Sequence, residues 1–182
     1  MKTLLLVLAL AVVIPSLVFA QGGASAQNTA TFDIGMPLTI DGATQPGVWG
    51  DLAPGTTYTI TADGYINPPD VNGSTEIASA VLWTITGQTG ATVNITFALP
   101  PFFTSPTGPN VPYSVNTMSA GWAGTAFTAG SPFNPIDPRV LNSISLLGGE
   151  ADVQIGGIVN VPLGATGTYT GTFVLTAQYT GL

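Results

Sequence analysis

The chain has 182 residues, of which 45% are apolar and only 6% charged, with a formal charge of −7. Two basic residues and no His leave nothing from which to build a phosphate-binding footprint, which argues against nucleic acid and anionic membrane surfaces as partners. The absence of Cys excludes disulfide staples, and a chain of this length can bury a sufficient core without them.

Lys2, the apolar run Leu4 to Ile14 and the small-residue ending Val18-Phe19-Ala20 predict a secretory signal peptide over residues 1–20, cut after Ala20 or after Ala26. The apolar run is short for a membrane span. Cleavage removes Lys2 and leaves Arg139 against nine carboxylates, a formal charge of −8. The mature surface must then be covered by Thr, Ser, Asn, Gln and Gly, which suits strands but supplies few of the charges that keep sheet edges apart. Residues 21–28 lack apolar periodicity and read as a flexible leader; residues 29–182 read as one domain.

From Thr29 to Ile40, Phe32, Ile34, Met36, Leu38 and Ile40 share one face, and Pro37 demotes the run to an edge strand or marks a break. Tyr58 and Ile60 alternate with Thr57, Thr59 and Thr61. Asp63 to Thr75 is a loop by composition. Val81, Trp83 and Ile85, then Val93, Ile95, Phe97 and Leu99, alternate on either side of Gly87-Gln88-Thr89-Gly90, a pattern that predicts a hairpin with both inward rows on one core.

Pro100 to Pro138 is punctuated by Pro and Gly, and its scattered aromatics, Trp122 among them, predict a segment packed over an open end of the fold. A sharper reading makes those aromatics a platform for sugar rings. Val140 to Leu147 reads as a strand. Gly156-Gly157 divides Asp152 to Val161 either as a tight hairpin turn or as a bulge in one longer strand. Thr168 to Tyr179 closes the chain with Tyr169, Gly171, Phe173, Leu175, Ala177 and Tyr179 on the buried side of a period-two pattern. Short strands, turn residues and no sustained helical period predict an all-β, antiparallel β-sandwich.

Four pieces resemble a known family: PLTI at Pro37–Ile40, GDLAPG at Gly50–Gly55, the stretch WTITGQTGATVNITFALP, and the close GIVNVPLGATGTYTGTFVLTAQY. In this order they resemble the bacterial "domain of unknown function 4402" (DUF4402) family, similar in outline to spore coat protein U and to fimbrial subunits. The resemblance implies a Greek-key, immunoglobulin-like or fimbrial-like sandwich of a secreted protein, and no catalytic residues. The chain departs from the pattern in carrying Trp49 where Phe is usual, and in the Pro-rich insertion.

With no His or Cys, and no Lys after cleavage, triad, thiolate, imidazole-metal and Schiff-base chemistry each lack a required group. No catalytic or cofactor-binding residue is assigned, and a non-enzyme is expected. Asp70, Asn72, Ser74 and Glu76 alternate in a loop and form a weak calcium candidate, although the EF-hand glycine position is not met and turn chemistry accounts for the same residues. The expected role is that of an acidic, secreted cell-surface structural protein, a fimbrial-like subunit joining others through sheet edges, with Gln21 to Ile34 as the donor segment. The alternative is a monomeric extracellular module for polysaccharide or another surface partner.

Overall fold

The computed structural model describes residues 35–42, 47–124 and 132–180. The signal sequence, the leader and Thr29–Ile34 lie outside the described residues. Among the described residues none is helical, and none forms a helix long and apolar enough to cross a membrane.

Thirteen strands follow one another: β1 (Thr39–Asp41), β2 (Thr57–Ile60), β3 (Ile66–Asn67), β4 (Val81–Thr86), β5 (Thr92–Ala98), β6 (Phe102–Phe103), β7 (Val111–Ser114), β8 (Ala120–Ala123), β9 (Asn134–Ile136), β10 (Asn142–Ser145), β11 (Glu150–Ile155), β12 (Gly157–Asn160) and β13 (Val174–Tyr179). They form three antiparallel sheets with orders β1-β4-β11-β8-β9, β10-β5-β13 and β3-β2-β12-β7-β6.

The first and second sheets feed one apolar cluster. Trp83 and Ile85 of β4 and Ala151, Val153 and Ile155 of β11 meet Val93 and Ile95 of β5, Ile144 of β10 and Leu175 of β13. The third sheet has its own cluster, built on Tyr58, Ile60, Val111, Tyr113 and Val159, and covered by Trp49, Leu52, Ala165 and Tyr169 from connecting segments. Phe173, Leu99 and Val115 touch both clusters and join them.

The expected hairpin between β4 and β5 does not form. The two strands lie in different sheets, each flanked by strands on both sides, so residues 87–91 carry the chain from one sheet to the other. Apart from the turn bond from Ala91 N–H to Gln88 O (3.1 Å), their backbone groups pair with a second crossing: Gly87 N–H donates to Gly149 O (2.9 Å), Gly90 N–H to Leu146 O (2.7 Å) and Leu146 N–H to Ala91 O (2.8 Å). A short Gly-rich connection serves a hairpin or such an arch equally well, and the partners of its amides decide which. Both inward rows nevertheless contribute to one cluster, as expected, but from two different sheets.

Elsewhere the alternation holds in part. Tyr58 and Ile60 are buried with exposed Thr57 and Thr59 between them. Before them, Pro37 precedes a three-residue β1 at a sheet edge; Leu38 packs inward, whereas Met36 and Ile40 are exposed. With one neighbour and three residues, β1 is too short to bury the whole predicted face.

Gly156-Gly157 is a kink in one continuing strand and not a hairpin turn. β11 and β12 are not paired with each other; β11 lies between β4 and β8, and β12 between β2 and β7. The backbone of β2 passes directly over Gly156: a Cβ there would stand 2.7 Å from the carbonyl carbon of Ile60 and 2.8 Å from Thr61 O, and closer still to Ile60 O. Gly157 has φ +149° and lies under the ring of Tyr113, whose hydroxyl donates to Gly156 O. Burial raises the Tyr113 phenol well above its ordinary pKa and keeps it a donor at that carbonyl.

The closing stretch follows the period-two reading over its full length. Residues 169, 171, 173, 175, 177 and 179 are buried or half-buried, and the even-numbered ones between them are exposed. Its hydrogen-bonded strand is shorter, since β13 starts at Val174, and Thr170 is tied to Thr104 by an isolated bridge.

Candidate functional site

Two features stand out: an aromatic-walled cavity beside the second cluster and the outer edge of β13. The cavity has a volume of about 810 Å³ and is lined by Trp49, Asp51, Asp70, Asn72, Phe103 and Tyr169 among others. Its aromatic wall is backed by ring contacts: Trp49 sits edge-on to Phe103, with ring centroids 5.2 Å apart, and near Phe173 at 5.8 Å, while Tyr113 contacts Phe103 and Phe173 at 5.4 and 5.3 Å. Trp49 Nε1 and Tyr169 Oη are buried without a hydrogen-bond partner.

Trp49, which the sequence marks only as a departure from the family pattern, lies outside the insertion whose aromatics read as a platform. Of those, Phe103 and Tyr113 are packed into this cluster and Trp122 packs on the other one. Phe133 lies over Gly121 of β8, which pairs with buried Gln154. The insertion aromatics are thus distributed over separate surfaces and form no joint platform among the described residues.

The four residues of the calcium candidate lie in one short segment, and Asp70 and Ser74 spend polar side-chain atoms on its backbone. Asp70 Oδ1 accepts from the backbone N–H of Asn72 (2.9 Å) and of Ser74 (2.8 Å), and Ser74 Oγ donates to Glu76 O (2.8 Å). Asn72 Nδ2 reaches away from them to Asp51 Oδ2 at 3.2 Å. Among the described residues no group of three His, Cys, Asp or Glu side chains is placed to hold a metal ion.

Arg139, the one cation expected after signal cleavage, is held by Asp137. Its Nε donates to Oδ1 (2.9 Å) and a terminal nitrogen to Oδ2 (2.8 Å), a two-point fork, and its backbone N–H also reaches Oδ1. These hydrogen bonds lower the Asp137 carboxyl from 3.8 to about 2. Because the folded value is depressed, the contribution is complete above the ordinary carboxylate pKa and is lost as pH falls through about 2. In a carboxyl-detected NMR titration Asp137 is expected to titrate near that value, and Arg139→Gln should return it toward 3.8.

β13 is an outer strand of the second sheet, with β5 on one side and no described strand on the other. Thr180 N–H donates to Thr92 O (3.0 Å), and the register pairs Thr176 with Thr96 and Gln178 with Asn94. Antiparallel alternation then directs the backbone groups of residues 174, 176 and 178 toward β5 and those of Leu175, Ala177 and Tyr179 outward.

The other outer strands each carry something that blunts pairing. β9 contains Pro135, β6 follows Pro100-Pro101, β3 has two residues and is followed by Pro68, β1 ends in Asp41, and β10 has four residues. β13 has six, with neither a charge nor a proline. No protein-family model and no curated protein matches the chain.

Proposed function

We propose that this is a non-catalytic, secreted bacterial cell-surface structural protein whose copies join through sheet edges in a fimbrial- or filament-like assembly. The observation that carries the reading is the outer edge of β13: long, uncharged, free of proline and presenting three residues' worth of outward backbone groups. Such an edge is a template for another strand. The export step rests on the sequence of residues 1–20, and the non-catalytic part on a composition without His or Cys. A Greek-key sandwich is the architecture we infer, supported by the cluster that the first and second sheets share. Kinship with the DUF4402 family rests on the four sequence pieces alone.

In this reading the donor is Gln21 to Ile34 of a neighbouring copy. Deleting Gln21 to Asn28 is expected to leave a folded domain by circular dichroism and to remove polymers from negative-stain micrographs of concentrated mature protein. Unchanged polymers would overturn the donor assignment, and single particles at every concentration in the undeleted protein would overturn assembly itself.

A further inference from the structure

We infer that the outer edge of β13 pairs with the β13 edge of a second copy, antiparallel and about a two-fold axis centred on Ala177. The inference rests on sheet-edge assembly as its premise and names a contact within it. Outward backbone groups belong to Leu175, Ala177 and Tyr179, and antiparallel pairing requires outward groups to face outward groups. A two-fold axis at any residue from 175 to 179 satisfies that parity. Centring on Ala177 matches Ala177 with itself, Leu175 with Tyr179 and Val174 with Thr180, so all three outward residues find partners within β13; every other centre leaves Leu175 or Tyr179 opposite a residue outside the strand.

Charge favours the same contact. Copies of a chain with a formal charge of −7 repel one another wherever acids meet, and Val174 to Thr180 contains none. On the exposed face Thr176 comes opposite Gln178 of the second copy, a neutral pair able to hydrogen-bond, at the close spacing of a non-hydrogen-bonded site. On the inner face the side of the first cluster nearest this edge is incompletely closed: Val93 and Ile95 of β5 are fully buried, whereas Ala177 and Tyr179 are half-buried. A second Leu175-to-Tyr179 row alongside extends the cover. An isologous contact closes after two copies and occupies the β13 edge, so it makes dimers, and growth into fibres requires the N-terminal donor to join a different edge.

The chain has no Cys, so introduced thiols report without background. Mature Thr176→Cys and Gln178→Cys proteins, mixed under mild oxidation, are expected to give the mixed disulfide at least fivefold over either homodimer, because opposed residues at a non-hydrogen-bonded site lie within disulfide reach. Leu163→Cys, at an exposed loop position, is the collision control. The preference should persist when Gln21 to Asn28 is deleted. Equal yields in all combinations, or yields no higher than the control, overturn the pairing. If sedimentation still shows oligomers in that case, edge assembly survives through another contact; if the undisturbed protein is monomeric throughout, the premise fails as well.

Discussion

Gly156→Ala is expected to lower the melting temperature of the mature protein by about 10 °C, from a loss of about 3 kcal/mol at a few degrees per kcal/mol for a domain of this size. The strand that continues from β11 into β12 belongs to two sheets, and at its kink the β2 backbone at Ile60 and Thr61 comes so near Gly156 that only a residue without a Cβ fits there. No rotamer change relieves that contact, because the obstacle is main chain. Either β2 or the kink must move, and each is hydrogen-bonded in place: β2 through its register with β12, the kink through Gly156 N–H donating to Ser119 O (2.8 Å).

Gly157→Ala should cost a comparable amount for a different reason. Its methyl meets the Tyr113 ring, and its φ of +149° is one that L residues rarely adopt. Trimming the ring in Gly157→Ala/Tyr113→Leu should recover part of the loss relative to the sum of the single variants, whereas Gly156→Ala/Tyr113→Leu should be additive or worse. Gly148→Ala, with open space around the new methyl, serves as the control and should leave the melt within about 0.5 kcal/mol. A thermal melt by circular dichroism reads all of these. A Gly156→Ala protein that melts with the control would mean that the kink is not a point of close approach.

The kink also shows what a linear pattern conveys and what it leaves open. Two glycines between alternating runs are compatible with a turn or with a continued strand, and the choice depends on Ile60, nearly a hundred residues earlier. The 87–90 connection is the same problem with the opposite outcome: local composition suggests a hairpin, while the amides of Gly87 and Gly90 find partners at residues 146 and 149. Alternation, in contrast, is a local property and was legible. The buried row from Tyr169 to Tyr179 appears as read, because each side chain's face is set by the pleat whether or not the backbone is paired. That β13 ends up outermost was not legible, since strand order is decided by which distant segments share a sheet. Trp49 gave no period to detect; it joins Phe103 and Phe173 only because three separate segments converge on the third sheet's cluster.

The edge itself supports a prediction whose sign separates pairing from bulk electrostatics. Thr176→Lys/Gln178→Lys brings the net charge of the chain closer to zero, so general repulsion between copies falls and nonspecific association should if anything increase. Edge pairing predicts the reverse, because each new Lys stands opposite a Lys of the second copy in the Ala177-centred register, and like charges directly across a sheet are unfavourable. Association measured by sedimentation equilibrium should weaken at least tenfold. Thr176→Lys/Gln178→Glu puts Lys opposite Glu twice over the same two positions and should restore association to the level of the unmodified protein or above it, with the gain shrinking as salt is added. Both side chains are exposed and their backbone groups face β5 unaltered, so the melt of the isolated domain should change by no more than about 0.5 kcal/mol in either variant. Weakening in both variants alike would mean that bulk at the edge matters and register does not; no change in either would remove β13 from the interface.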